Sequence, residues 1–517
     1  MIPKLEKNGF LTELIVDGKL FPILGAELNN SSASSLEYLE TKVWPAFSRL
    51  GANTILAPVY WECLEPEQGQ YDFTLVNGLI QQAKREKVHL VLLWFGLWKN
   101  CLSSYTPAWM KTDPKYIYMK MEDGREYESV SPFCSEAVDL DATAFSALLS
   151  HLREVDTHHT VIMIQVENET GIWGSPRDYC EAAQEVYHSV IPKKVADEFN
   201  VSGNWEEAFK FDAPGIFMAW ALACAVEKIA GAGKKCLSLP MYMNCALGTY
   251  DISRLAGSWT AGGPMPMVQR MWRAFAPDID FYAPDIYCDD FSSIAKAFAQ
   301  KNPLFIPETG ADKNAVSKFL YCTGQYNLLG FSPFGIDAAC GCATIQDSLM
   351  DSNYAGLLHP GSLISNLNIA YRIAAILWPA LEQAKKTNRV MGFYEQTPGD
   401  EFILDRYVIN VTYNGTQYIP GDAPIFPAFP GDRSDFPKGG GLILQESDDT
   451  FLICAVSCNI RFQGRFGGQE RLYILEKREL YPEGNELREG RILNGDEKNV
   501  MAFGPVPALQ RIRFYRR

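Results

Sequence analysis

The chain has 517 residues, 47% hydrophobic and 21% charged, which is enough material for more than one hydrophobic core. Its 47 basic and 62 acidic side chains give a net charge of −15, which repels phosphate backbones and argues against nucleic acid as a partner. No run of about 18 apolar residues occurs, so we expect no membrane association either.

The predicted strands occupy eight short apolar segments within the first 375 residues. They cover 21–27, 53–59, 88–95, 160–167, 238–244, 281–287, 303–308 and 328–335. Helical patterns such as 35–51 and 74–87 lie between them, and strands that alternate with helices favour parallel pairing. Eight such units predict an α/β fold, a (β/α)8 TIM barrel. A doubly wound open sheet is the alternative, although no GxGxxG opens a helix after the first strand.

Beyond about residue 380 the helical pattern gives way to short alternating strands, at 407–413, 441–447, 451–457 and 471–476. Proline and glycine crowd the interval 419–441, which predicts a long loop. We therefore expect a catalytic barrel over 1–385 and a smaller, sandwich-like all-β domain over 386–517.

The thirteen cysteines show no repeated spacing of the kind used by zinc or redox sites. We expect free, mostly buried thiols in a reducing compartment. The N-terminal segment lacks the apolar core and the small-residue cleavage site of a secretory leader. The sequence therefore predicts a cytoplasmic protein.

The fourth predicted strand ends in an unusual way. In "VIMIQVENETGIW" (161–173) a buried apolar run finishes on Glu167, Asn168 and Glu169, although an unpaired buried carboxylate is strongly unfavourable. Side chains alternate along a strand, which predicts that Gln165, Glu167 and Glu169 share one face. The seventh strand, "PLFIPETG", ends similarly on Glu308. In a (β/α)8 barrel these strand ends surround the catalytic cavity.

Two carboxyl groups that face one cavity suit the hydrolysis of a glycosidic bond. With six histidines and no GxSxG segment, the chain offers little for a histidine metal site or a serine triad. Magnesium held by strand-end carboxylates, as in enolase-type barrels, is the alternative, and it favours several acidic residues on neighbouring strands plus a lysine base. We predict that no metal and no organic cofactor is needed.

"QVENETG" (165–171) followed by "PLFIPETG" (303–310) resembles the retaining (β/α)8 glycosidases of clan A. Together with "NTILAPVYWECLEPEQGQYDF" (53–73) it resembles the β-galactosidases of glycoside hydrolase family 35, and more distantly family 42. The resemblance implies that Glu169 is the acid/base and Glu308 the nucleophile. It also implies that Asn168 contacts the sugar 2-hydroxyl and that Glu167 holds further hydroxyls of the same ring.

The segments that read the more remote hydroxyls depart from family 35. "GAELNNSSAS" (25–34) lacks the usual histidine and offers Glu27, and "WFGLWKN" (94–100) replaces the usual Cys-Ala-Glu-Trp. Trp61, Trp94 and Tyr287 are candidates for stacking on a sugar ring, with core packing as the alternative. In related barrels the tyrosine after strand six contacts the nucleophile, which suggests the same for Tyr287.

The sequence thus predicts an exo-acting retaining β-galactosidase whose partner is a β-linked galactoside or a related glycoside. A β-glucosidase or another β-glycosidase on the same barrel is one alternative. A catalytically inactive carbohydrate-binding protein is another. Homo-oligomerisation is left open.

Overall fold

The computed structural model describes residues 1–246, 260–300, 302–338, 360–413, 436–465, 471–499 and 501–517. The chain forms two compact units. The first contains 1–6, 13–44 and 53–309, and the second contains 7–12, 45–52 and 310–517. The domain boundary at residue 385 stays a prediction. Most of the predicted loop 419–441 lies outside the described residues.

A nine-stranded sheet organises the first unit, which supplies eight of the strands: β1 (Ile23–Glu27), β2 (Thr54–Tyr60), β3 (His89–Lys99), β4 (Val161–Asn168), β5 (Met241–Ala246), β6 (Phe281–Ile286), β7 (Leu304–Ile306) and β8 (Glu308–Thr309). Parallel pairing joins them in the order β1-β2-β3-β4-β5-β6-β8. Only Pro307 separates β7 from β8 in the chain, yet they stand at opposite ends of the sheet order. The sheet therefore nearly closes on itself, which confirms the predicted (β/α)8 barrel.

The barrel strands are buried along almost their whole length because helices cover one face of the sheet and the barrel interior the other. Strands β2, β4, β5 and β6 are buried at every position, which explains their almost continuous apolar sequences. The helices between the barrel strands are Trp61–Leu64, Thr74–Glu86, Ala108–Lys111, Ser135–Val155, Glu181–His188, Lys193–Phe199, Trp205–Phe209, Ala213–Cys236, Gln269–Phe275 and Phe291–Phe298.

Several short elements accompany the barrel. The predicted helix 35–51 consists of Leu36–Tyr38, a π-helical turn Leu39–Val43 and Trp44–Phe47. Lys4–Asn8, Leu11–Val16 and Lys19–Leu20 form a three-stranded sheet, and Tyr118–Lys120 pairs with Glu126–Val130.

One stretch in the described part of the chain, Trp205–Cys236, is long and apolar enough to cross a membrane by length and composition. Its most apolar window has a mean hydropathy of 1.4, and 61% of that window is buried inside the structure. Core helices of large domains have the same character. The absence of a membrane partner stays a prediction.

The second unit contains two antiparallel sheets, of six and four strands. Their apolar faces share a core that includes Phe393, Tyr407, Phe451 and Phe514, as the alternating sequence pattern predicted for the C-terminal region. The strands of this unit are Leu328–Phe331, Val390–Tyr394, Gly399–Leu404, Tyr407–Tyr413, Gly440–Ser447, Thr450–Val456, Cys458–Gly464, Leu472–Glu483, Glu486–Ile492, Ala502–Phe503 and Ala508–Arg516. Its helices are Ala315–Gln325, Pro360–Lys386 and Asp496–Asn499. The eleven cysteines in the described residues of the chain are free thiols.

Candidate active site

Polar side chains occupy buried positions at the carboxyl ends of six barrel strands of the first unit. They are Glu27 on β1, Lys99 on β3, Asn168 on β4, Asn244 on β5, Asp285 on β6 and Glu308 on β8. Glu169 follows β4 directly. Because carboxyl ends of parallel strands meet at one mouth of the barrel, this arrangement concentrates ionisable groups where barrel enzymes hold their substrates.

Three of these side chains form a carboxyl cluster, namely Glu169, Asp285 and Glu308. One carboxylate oxygen of each lies within 4.8 Å of those of the other two. The two glutamates that the sequence singled out are therefore brought together by the barrel, although they lie far apart in the chain. Asp285 joins them as a third carboxyl group.

The backbone at the end of β4 departs from strand geometry. Glu167 and Glu169 have φ angles of 60° and 48°, in the left-handed region that costs a residue other than glycine on the order of 1–3 kcal/mol. The carbonyl oxygen of Glu169 accepts hydrogen bonds from the Cys101 backbone N–H (3.1 Å) and from its Sγ (3.0 Å). The strict alternation along the strand is lost at these positions. The prediction that Gln165, Glu167 and Glu169 share one face is therefore wrong.

Glu167 turns away from the carboxyl cluster toward β3 and the helix Ser135–Val155. Its carboxylate accepts the backbone N–H of Trp98 at 2.7 Å and that of Leu97 at 3.3 Å, and the Leu97 N–H also donates to the neighbouring Asp141 carboxyl. Burial and then the charge of Asp141 raise the pKa of Glu167 well above its usual range. These contacts anchor the end of β3, and the sugar contact that the resemblance implied stays a prediction.

Asn244 connects two members of the cluster. Its Oδ1 accepts the backbone N–H of Glu169 at 2.9 Å, and its Nδ2 donates to Asp285 Oδ2 at 2.6 Å. A backbone N–H can only donate and therefore requires Oδ1 on its side of the amide. This contact fixes the orientation of the Asn244 side chain.

The electrostatics of the site favour protonated carboxyl groups near neutral pH. Burial, followed by the charge of Glu169, raises the pKa of Glu308 to about 7, whereas Lys99 and the Tyr287 hydroxyl oppose the shift. Burial, then the charges of Glu308 and Glu169, raises the pKa of Asp285 well above its usual range. Burial and Glu308 do the same to the pKa of Glu27. Since these groups titrate together, a proton donor and an ionised carboxylate can coexist in one site.

Several buried polar atoms around the cluster have no hydrogen-bond partner among the described residues: Asn168 Oδ1 and Nδ2, Asp285 Oδ1 and Glu308 Oε2. The large majority of buried polar groups in folded proteins are hydrogen-bonded. These donors and acceptors are available to a polar ligand.

The aromatic candidates divide into two kinds. Tyr287 is 45% exposed, and its hydroxyl donates to Glu308 Oε1. Trp94 and Trp61 are fully buried, and their indole N–H groups are bonded to Asp141 (2.8 Å) and to Glu65 (2.7 Å). The structure therefore places Tyr287 beside the cluster and both tryptophans in the packed interior, where they fill space by their large apolar area.

Sequence reasoning missed Asp285, Asn244 and Lys99. Asp285 is the second-last residue of the apolar strand "FYAPDI", and Glu308 follows a similar apolar run in its own segment, so the criterion applied to strands four and seven identifies it too. Asn244 follows three apolar residues in "MYMN". An amide carries no charge, and nothing in the sequence distinguishes it from a structural one.

The three carboxylates are also an oxygen donor set of the kind that hard divalent cations bind. A group of carboxylates does not by itself identify a bound metal ion, because protons can also relieve the repulsion between the carboxylates. The raised pKa values of Asp285 and Glu308 favour protons, in place of a metal ion, as the means of relieving this repulsion. The absence of a metal requirement stays a prediction.

Comparison with known proteins gives a partial match. Residues 42–212 match the family model of glycoside hydrolase family 42, described as "Beta-galactosidase". The chain resembles the glycoside hydrolases of clan A. The match confirms the predicted enzyme class, and it leaves the choice between family 35 and family 42 open. Residues 367–503 match a domain of unknown function, DUF5597. No curated protein sequence matches the chain.

Solved structures of glycosidases resemble it at low identity. The β-galactosidase of Bacillus circulans sp. alkalophilus is 16% identical over 60% of this chain and 50% of its own, with a TM-score of 0.43. The cold-adapted β-galactosidase of Rahnella sp. R3 is 12% identical over 61% and 50%, with a TM-score of 0.43. The catalytic domain of β-amylase from Paenibacillus polymyxa is 12% identical over 64% and 96%, with a TM-score of 0.45. The chain spans half the length of the two β-galactosidases, and likeness this distant identifies neither substrate nor mechanism.

Proposed function

We propose that the protein is an exo-acting, retaining β-glycosidase that hydrolyses β-galactosides by double displacement. The supporting observation is the approach of the Glu169 and Glu308 carboxylates, whose nearest oxygens lie within 4.8 Å. The two carboxyl groups of retaining glycosidases are about 5–5.5 Å apart, whereas inverting enzymes separate them by about 6.5–9.5 Å to admit a water molecule. The galactoside itself is proposed from the family model that matches part of the barrel.

In the first step the Glu308 carboxylate attacks the anomeric carbon and forms an ester bond with the sugar. The glycosidic C–O bond breaks as Glu169 gives its proton to the departing oxygen. The Tyr287 hydroxyl, which donates to Glu308 Oε1, lowers the pKa of that carboxyl and so favours the ionised nucleophile.

In the second step Glu169, now a carboxylate, takes a proton from a water molecule whose oxygen attacks the anomeric carbon. The ester bond breaks, Glu308 is released as a carboxylate, and the sugar leaves with its original anomeric configuration. Asn168, with both polar atoms buried and unpaired in the described structure, would bond the 2-hydroxyl in this proposal. Such a bond strengthens in the oxocarbenium-like transition state.

A panel of nitrophenyl β-glycosides with galacto, gluco and manno sugars tests the proposal. We expect turnover of the galactoside, loss of about 100-fold or more in Glu169→Gln and Glu308→Gln, and a β-configured first product by proton NMR. Glu181→Gln, an exposed glutamate on Glu181–His188, is the matched control and should retain full activity. An α-configured first product, or unchanged activity in Glu308→Gln, would overturn the assignment.

A further inference from the structure

Lys99, the last residue of β3, is a buried lysine that the double displacement leaves without a task. We propose that its ammonium group is a specificity-determining group that donates a hydrogen bond to the 3-hydroxyl of the sugar bound beside the carboxyl cluster. This inference rests on the proposed function, because it concerns the sugar ring whose anomeric carbon Glu308 attacks.

The side chain of Lys99 points into the mouth of the barrel. Trp94 and Phe95 are neighbours in β3, and neighbouring side chains of a strand point to opposite faces. The Trp94 indole bonds Asp141 on the helix Ser135–Val155, which covers the outside of the barrel, so Phe95 points inward. The Lys99 Nζ lies over the Phe95 ring, 5.1 Å from its centre. The ammonium group therefore lies on the inner side, where the carboxyl ends of the strands meet.

The ammonium group has donors to spare. Its Nζ donates to Asn100 Oδ1 at 2.6 Å, and within the described residues it forms no other hydrogen bond and no ion pair within 4.0 Å. A lysine ammonium carries three N–H donors, and a buried charge is unfavourable unless it is paired and hydrogen-bonded. Two donors of Lys99 are therefore available to a ligand.

Two carboxyl groups face the ammonium group across a gap. Burial is the largest cause that raises the pKa of Glu308 and that of Glu27, and the positive charge of Lys99 opposes the shift in both. Neither carboxylate lies within 4.0 Å of the Lys99 Nζ, so the three groups interact through space without a direct bond. A hydroxyl group is both a donor and an acceptor. Sugar hydroxyls on neighbouring carbons therefore fit between the ammonium group and these carboxyl groups.

The register of β3 and β4 favours one hydroxyl over the others. Lys99 is the neighbour of Asn168 across the two strands, and the side chain of Asn168 bonds the 2-hydroxyl in the proposed function. Glu27 lies two strands further along the sheet, at the end of β1. The 3-hydroxyl is next to the 2-hydroxyl on the ring, and the 4-hydroxyl follows it. The order of the strands thus assigns the 3-hydroxyl to Lys99 and the next hydroxyl to Glu27.

This assignment defines a class of substrates. A sugar without a 3-hydroxyl leaves the buried donors of Lys99 unpaired, and sites built to bond a hydroxyl discriminate strongly against analogues that lack it. The 3-hydroxyl has the same configuration in galactose, glucose and mannose. Lys99 therefore selects for a terminal sugar whose 3-hydroxyl is present and free, whichever of the three sugars the site prefers.

The test compares substrates that differ by one hydroxyl group. The ratio of kcat/KM for nitrophenyl β-galactoside to that for its 3-deoxy analogue should fall about 10- to 100-fold in Lys99→Met, because the lost bond has a charged donor. The ratio to the 6-deoxy analogue should change less than about threefold. Removal of the Lys99 charge also raises the pKa of Glu308, but that effect is common to all three substrates and cancels in each ratio.

The matched control is Lys84→Met, which removes an exposed lysine from the helix Thr74–Glu86 and should change neither ratio. Lys99→Gln, which is uncharged and one bond shorter, serves if Lys99→Met does not fold, and the same ratio should fall. Equal losses on the parent and the 3-deoxy substrate would show a structural or purely electrostatic role and overturn the inference. A loss that follows the 6-hydroxyl overturns it as well.

Failure of the inference and failure of the proposed function give different results. If wild type hydrolyses a glucoside or a mannoside in place of the galactoside, the same comparison is made on that sugar. If it hydrolyses none of them, calorimetric titration with galactose, glucose and mannose replaces turnover. Binding that weakens about tenfold or more in Lys99→Met, and not in Lys84→Met, then supports the inference while the proposed function fails. Absence of binding overturns both.

Discussion

Replacing Glu167 by glutamine and by alanine distinguishes a structural anchor from a sugar contact. In Glu167→Ala the backbone N–H of Trp98 loses its acceptor at 2.7 Å, while Leu97 keeps Asp141 Oδ2 at 2.9 Å. An unpaired buried N–H costs about 1–3 kcal/mol, and the cavity left by the deleted side chain adds about 1–2 kcal/mol. We expect a loss of about 2–5 kcal/mol, seen as a thermal midpoint several degrees lower.

Glu167→Gln should preserve these contacts, because an amide oxygen can accept from Trp98 and the amide N–H can donate to Asp141. The native protein holds Glu167 protonated at pH values where the unfolded chain has released that proton, since its pKa is raised above 4.5 by burial and by Asp141. Native stability therefore falls as the pH rises above about 4.5 toward the folded value. Glutamine removes this contribution, so the variant should gain stability relative to wild type with increasing pH.

The assay is thermal unfolding of wild type and both variants across acidic to alkaline pH, combined with KM for the nitrophenyl galactoside. The structural assignment predicts that Glu167→Gln leaves KM nearly unchanged. A large rise in KM in Glu167→Gln, with an unchanged thermal midpoint in Glu167→Ala, would refute it and restore the direct sugar contact.

Three further predictions follow from the site. Tyr287→Phe removes the donor to Glu308, so the pKa of Glu308 should rise above about 7. The acidic limb of the kcat/KM profile against pH should then move up by about one pH unit, which corresponds to about 1.4 kcal/mol. An acidic limb that does not move would contradict this. Asn168→Ala should lower kcat/KM about 100-fold on the parent galactoside and far less on its 2-deoxy analogue, with equal losses as the contrary result. Removal of divalent ions with EDTA should leave kcat unchanged, because protons relieve the repulsion in the carboxyl cluster, and a loss restored by Mg²⁺ would show a metal requirement.

The sequence predicts the barrel well because its strands are buried on both faces. β2, β4, β5 and β6 are read as almost continuous apolar runs that lie within three residues of the observed bounds. Glu169 and Glu308 stand out for a related reason, since a charge that ends a buried run is unfavourable without a function. The same reasoning, applied to "FYAPDI", finds Asp285.

The missed features depend on backbone conformation and tertiary contacts. Alternation places Glu167 beside Glu169, but the positive φ at Glu167 and Glu169 breaks that pattern, and a left-handed glutamate has no sequence signature of the kind glycine provides. Trp61 directly follows β2, and Trp94 lies within β3. Their burial depends on partners from other elements, such as Asp141 for Trp94.

Covalent trapping tests the central claim most directly. A 2-deoxy-2-fluoro β-galactoside with a dinitrophenyl leaving group slows both steps, the second more than the first, and lets a glycosyl-enzyme accumulate. Mass spectrometry of the digested protein should find one sugar per chain, esterified to Glu308, and none in Glu308→Gln. A label on another residue, or no label together with an α-configured product from the parent galactoside, would contradict the mechanism.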